Sequence, residues 1–124
     1  MKVLFSIKPE YANKILSGEK KFEFRKSIFK NPDVTTVVIY ATKPLGKVIG
    51  EFDIERILAS CPESLWMKTE KHSGITRDFF NEYFKNRDLA FAIKVKNARR
   101  YKNPLDLIDV LPTNTAPQSF CYLS

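Results

Sequence analysis

The chain has 124 residues, enough for a single domain with one hydrophobic core and too few for several domains of ordinary size. Its apolar content of 44%, with ten Phe, five Tyr and one Trp, excludes a disordered tail, and two cysteines, Cys61 and Cys121, exclude a disulfide framework. Lys and Arg outnumber Asp and Glu by 21 to 14, a net charge of +7, which favours a polyanionic partner such as RNA, DNA or an acidic surface.

KVLFSI (2–7) is apolar enough for a first strand, and Pro9 then suits the first turn of a helix, where its missing N–H costs nothing. Tyr11, Ala12, Ile15 and Leu16 recur at helical spacing, and Gly18 is placed to end that helix in a left-handed conformation. KFEFRK (21–26) alternates strictly, so it reads as a strand with Phe22 and Phe24 on one face and Lys21, Glu23 and Arg25 on the other. NPDV (31–34) is a turn, VTTVVIYAT (34–42) a central strand, KPLG (43–46) another turn, and KVIGEFDIERILA (47–59) a further strand. Gly50 within it marks a bulge or a close backbone approach.

Ser60 and Glu63 have the spacing of a capping box opening a helix over 62–72. SGIT (73–76) breaks that helix, and Thr76 can cap a second one, RDFFNEYFKN (77–86). LAFAIKVKNARRY (89–101) is another long strand, a proline-containing connection follows, and QSFCYL (118–123) closes the chain as a strand. The order β-α-β-β-β-α-α-β-β does not alternate as a parallel α/β fold would. An α+β fold is expected: a mixed, mostly antiparallel sheet curling into a barrel, with helices packed outside.

The opening apolar run is too short for a signal peptide, and no later segment is long enough to span a bilayer, so a cytoplasmic protein without a membrane partner is expected. The single histidine, His72, has no partner ligand and neither cysteine sits in a Cys-x-x-Cys pair, so neither a metal nor another cofactor is expected. Charge is uneven. Residues 1–50 hold ten Lys/Arg against four Asp/Glu, and residues 51–124 hold eleven against ten. Lys94, Lys96, Arg99, Arg100 and Lys102 form a second basic run, which makes one patch with the first half only if the fold joins them.

Gly18-x-Lys20-x-x-Glu23-x-Arg25 resembles the G-x-K-x-x-E-x-R signature of the ASCH domain family, a branch of the PUA-like superfamily. SIKPEYANKILSGEKKFEFRK, VVIYATKP, VIGEF and APQSFCYL resemble, in order, stretches of small single-domain members of that family. The resemblance implies one domain over 1–124, a PUA-like β-barrel, and a cleft for RNA or a nucleobase. It also implies two enzymatic possibilities, since some relatives are amidohydrolases of acylated cytidine and others cut single-stranded RNA. Lys20 matches the amidohydrolases' lysine, but Glu23 stands where they have a threonine.

On the residues themselves, Arg25 offers a planar fork for phosphate or a base edge, and Glu23 can orient that fork or accept a proton from a nucleobase amine. The alternative is an ion pair that contributes little. Lys20 is either a phosphate contact or, if desolvated, a base or nucleophile; Lys20 and Glu23 are the catalytic candidates should the protein be an enzyme. Lys21 and Lys26 read as solvated charges. Ser6 and Lys8 leave the first strand at a helix start that can hold phosphate. Tyr40 either stacks on a base or is a core tyrosine, and Thr42 and Lys43 occupy the following turn. Gln118 and Ser119 can read a ligand's polar edge or satisfy local backbone. Trp66, Phe79, Phe80, Tyr83 and Phe84 read most simply as helix packing. The expected function is binding of RNA or a modified nucleotide in a basic cleft, with a regulatory role in transcription or translation. An RNA-directed enzyme of the same fold and a metabolite-binding regulator are the alternatives.

Overall fold

The computed structural model describes residues 1–123. The strands are β1 (Lys2–Ile7), β2 (Phe22–Arg25), β3 (Thr36–Ala41), β4 (Lys47–Ser60), β5 (Ala90–Leu105) and β6 (Phe120–Leu123); the helices are α1 (Pro9–Ser17), α2 (Pro62–Thr69) and α3 (Arg77–Tyr83). They form one mixed sheet in the order β2-β5-β4-β3-β1-β6, in which only β1 and β3 run parallel. The sheet curls into a half-barrel with the three helices packed outside, as the element order implies.

Local chemistry accounts for most element ends. Pro9 opens α1, and Gly18 closes it at φ +89°, a conformation that costs a residue with a Cβ. The Thr76 hydroxyl accepts a 3.1 Å hydrogen bond from the Phe79 N–H and caps α3. At Gly50 a Cβ would lie 2.6 Å from the Arg99 carbonyl oxygen, and the β4–β5 register shifts beside it, so both the close approach and the bulge are present.

Several boundaries differ from the sequence reading, among them the end of α3, which stops at Tyr83 rather than at 86. The Ser60–Glu63 capping box does not form, because Pro62 takes the first helical position and makes Cys61 the cap, leaving Ser60 as the last residue of β4. A 3₁₀ turn over Glu70–His72 replaces the last turn expected of α2. β5 runs on through Pro104 to Leu105, and β6 begins two residues late, at Phe120.

Residues with opposite parity along the strands enter different cores. Val3, Phe5, Ile7, Val37, Ile39 and Phe52 meet Ala12 and Ile15 of α1. Leu4, Val38, Tyr40 and Val48, on the other side, are covered by Leu107 and its neighbours from the segment after β5. Burial on both faces is why β3 reads as an unbroken apolar run. Phe22 and Phe24 of β2 pack with Leu65, Trp66, Phe80 and Phe84 under α2 and α3. The Phe80 ring lies 4.8–5.3 Å from those of Trp66, Phe24 and Phe84, so truncating it to Ala is expected to cost about 3–5 kcal/mol. No helix among the described residues is long and apolar enough to cross a membrane.

Candidate functional site

β2 and β6 are the two ends of the sheet, and no ladder joins them. Arg25 bridges the gap instead. Its Nη2 donates to the Ser6 carbonyl at 3.1 Å, and its Nη1 reaches the Ser119 carbonyl at 3.4 Å and hydroxyl at 3.3 Å. Its Nε donates to Glu23 Oε2 at 3.1 Å, Nη2 sits 3.0 Å from the same oxygen, and the guanidinium lies 4.1 Å above the Phe5 ring. The Ser6 hydroxyl adds a 2.6 Å bond to the Pro117 carbonyl. One side chain thus ties three separate chain segments into a seam.

A cleft of about 380 Å³ opens beside that seam, near the lower end of the range for small-molecule pockets, about 300–1,000 Å³. Lys20 lies against its floor with only 2% of its surface exposed. The Lys20 Nζ donates to the Ser73 carbonyl at 2.6 Å and stands 4.7 Å from the centre of the Phe24 ring and 5.6 Å from that of Tyr11. Gly74 makes room for it: at φ +69°, a Cβ there would come within 2.6 Å of the Lys20 Cβ and Cγ. Burial pushes the Lys20 ammonium down to about 8; the Glu23 charge pulls the other way, and Lys14 adds to the fall. Glu23 gives Oε2 to Arg25. Its Oε1 has no protein partner among the described residues and is not sealed from solvent, so it is available to the cleft.

The opposite wall comes from α3. Phe79 and Tyr83, one helical turn apart, present rings within 10° of parallel with centres 6.3 Å apart, and Tyr11 of α1 tilts against Phe79 at 5.4 Å. Ile75 completes the apolar lining, and the Tyr83 hydroxyl donates to the Phe24 carbonyl at 3.4 Å. Burial raises the Tyr83 pKa, partly offset by Arg25.

The fold therefore gathers seven of the residues singled out from sequence, Ser6, Lys8, Lys20, Glu23, Arg25, Thr42 and Gln118, around one cleft. Ser119 lies behind Arg25 as its acceptor. Two others are elsewhere. Tyr40 is buried on the far side of the sheet with Leu4, Val38 and Val48, because its position in β3 has the parity of that face; Lys43 is exposed and does not line the cleft. The basic run of β5 does not reach the cleft either. Lys94 pairs with Glu55 at 2.9 Å, and Arg99 pairs with Glu51 and Asp53, so part of its charge is neutralised across the β4–β5 ladder. Sequence reasoning missed Tyr11, Phe79 and Tyr83 as cleft residues and assigned the last two to packing. The available signal was a second stripe, Ile75, Phe79 and Tyr83, beside the core stripe of Phe80 and Phe84.

A curled half-barrel of mixed sheet, sealed by an Arg–Glu pair and carrying a lysine inside an aromatic-walled cleft, defines the class. The family model for the ASCH domain matches residues 5–99, and the chain belongs to that family. It is 28% identical over 122 residues to the ASCH domain-containing ribonuclease of Zymomonas mobilis, spanning 97% of this chain and 82% of that one. A crystal structure of ASCH from Zymomonas mobilis superposes with a TM-score of 0.90 at 28% identity, covering 99% of this chain and 87% of that chain. The large ribosomal subunit protein uL22 of Ureaplasma parvum is 34% identical over 98% of this chain, which spans only 39% of that protein's length.

Proposed function

We propose that this ASCH domain binds single-stranded RNA, or a modified nucleotide, by drawing one base out of its strand into the cleft. The carrying observation is the cleft's construction: aromatic rings of Tyr11, Phe79 and Tyr83 beside a buried lysine and a carboxylate oxygen with no partner among the described residues. Aromatic faces accept any unstacked base, at about 1–3 kcal/mol per base, while polar groups on the floor meet its edge. Lys20 donates to a base oxygen or ring nitrogen, Glu23 Oε1 accepts from an amine or imino N–H, and Ser6, Thr42 and Gln118 supply the polar rim. Arg25 acts mainly through position, because its donors are already engaged by Glu23, Ser6 and Ser119. A regulatory role in transcription or translation, exerted by one ASCH unit over 1–124, fits such a binder.

A second reading is an enzyme acting on RNA. Two observations favour it: a relative named as a ribonuclease, of which this chain covers most of the length, and a lysine whose pKa of about 8 lets it exchange protons near neutrality. The amidohydrolase form is less well supported, because Glu23 occupies the position of the expected threonine.

The test compares wild type with Phe79→Ala and Lys20→Met, using short single-stranded RNA and N4-acetylcytidine, with anisotropy for binding and chromatography for products. RNA binding by wild type that weakens at least several-fold in Phe79→Ala is expected. Product formed by wild type and absent with Lys20→Met would establish the enzymatic reading. No binding of either compound by wild type would overturn both.

A further inference from the structure

Two lysines outside the buried floor take no part in the base contacts above: Lys8 lines the cleft, and Lys26 reaches the ring of a wall residue, Tyr83. Lys8 follows β1, Lys26 follows β2, and both are exposed. Their stems cross toward α3. The Lys8 Nζ lies 5.7 Å from the centre of the Phe79 ring, and the Lys26 Nζ lies 4.8 Å from that of Tyr83. Neither ammonium has a carboxylate within 4.0 Å among the described residues, in contrast to Lys14, Lys47 and Lys94, which are all paired.

A ring face holds an ammonium weakly, on the order of 0.5–1 kcal/mol at an exposed site, and leaves its outward hydrogens free for an anion. The two rings are adjacent on one helix face with centres 6.3 Å apart, so both lysines are drawn to neighbouring positions along α3. Lys20 does not share this task, because it is enclosed at the cleft floor with 2% of its surface exposed, away from the solvated strand backbone. Lys21, its exposed neighbour, reaches no ring of the cleft wall, unlike Lys8 and Lys26.

We propose that Lys8 and Lys26 form a two-point phosphate clamp across the cleft mouth, so that the site takes an internal nucleotide of a single strand, gripped by the phosphate on each side of the inserted base. This rests on the RNA-binding reading and narrows its ligand from nucleotides in general to nucleotides within a polymer. Lys26, which reads from sequence as a solvated charge, becomes a binding residue.

The test titrates a short mixed-sequence single-stranded RNA, and separately the corresponding nucleosides, over a salt series with wild type, Lys8→Ala, Lys26→Ala, the double variant and Lys21→Ala. Each clamp variant should weaken RNA binding several-fold and reduce the slope of log affinity against log salt by about 0.7, with the double variant losing about twice that. Nucleoside binding and the unfolding midpoint should stay at wild-type values. A salt slope unchanged in both clamp variants overturns the clamp, and so does a fall in Lys21→Ala as large as theirs; the base-cleft reading then stands if Phe79→Ala still loses RNA. Absence of RNA binding by wild type overturns both.

Discussion

The protein contains two carboxylate–arginine networks, each centred on an enclosed glutamate, whose remaining partners differ. Glu23 and Glu51 are equally enclosed, each with 9% of its side chain exposed, and each meets an arginine across the sheet's polar positions. Glu51 is saturated. Its Oε1 accepts from Tyr101 at 2.7 Å and Lys2 at 3.2 Å, and its Oε2 accepts from Arg99 and Lys2. Glu23 has one partner side chain on one oxygen and leaves the other oxygen to the cleft. The arginines differ in the reverse sense. Arg99 is 45% exposed and shared with Asp53, whereas Arg25 is 9% exposed and spends its remaining donors on the backbone of β1 and the hydroxyl and carbonyl of Ser119. A buried charge network becomes a candidate site when a group within it keeps an open valence toward a cavity, and Glu51 keeps none.

The largest effect that tests this contrast comes from the arginines. Arg25→Ala leaves Glu23 without its partner and unties the seam, so a loss of about 3–5 kcal/mol in denaturant unfolding is expected, together with loss of RNA binding. Arg99→Ala leaves Glu51 with Lys2 and Tyr101 and is expected to cost about 1 kcal/mol or less. Equal unfolding midpoints for the two variants would break the comparison.

A second effect follows from Lys20. Its folded-state pKa of about 8 lies below the ordinary 10.5, so below pH 8 both states are protonated and the folded protein bears the full cost of burying the charge. Between about 8 and 10.5 the unfolded chain binds more protons, and stability should rise with pH by about 3 kcal/mol. Urea midpoints across that window should show this rise in wild type relative to Lys20→Met. Parallel curves for the two proteins would mean that Lys20 is solvated and the cleft has no desolvated floor.

The smallest effect sharpens the far-face half of the comparison. Burial pushes the Glu51 carboxyl upward, but hydrogen bonds from Tyr101 and Lys2 and the charges of Lys2 and Arg99 outweigh it and hold its pKa below the usual value. That stability is present above the unfolded carboxylate pKa and is lost as pH falls through the folded value. Tyr101→Phe should remove about 1 kcal/mol near neutrality, move the acid transition upward and leave RNA binding unchanged. An RNA-binding defect in this variant would show that the two networks are coupled.

Much of the architecture was legible from local pattern. The alternation of KFEFRK correctly separated Phe22 and Phe24 from Glu23 and Arg25, and Lys20, Glu23 and Arg25 of the signature line one cleft with Ser6, Lys8, Thr42 and Gln118. The alternation could not say how deeply that polar face is enclosed: all four residues of β2 are buried, because the curl brings β1 and the approach to β6 over it. Of the two readings of Tyr40, the core tyrosine is the one found, but its place in the far core rather than the near one was not legible. α3 carries two aromatic stripes side by side, and helical spacing cannot say which meets the core and which a cavity.

By itself the sequence determined the order of elements, the left-handed turn at Gly18 and the cap at Thr76, because each depends on a residue's own conformational limits or on neighbours a few positions away. Only the tertiary structure decided the fate of the charges in SGEKKFEFRK: Lys20 inward beneath Ser73, Arg25 across the seam, Lys26 over Tyr83. The reason is range. Arg25 finds Ser119 94 residues away and Lys20 finds Ser73 53 residues away, and the worth of a charge is set by the partners and water that such distant closures leave it.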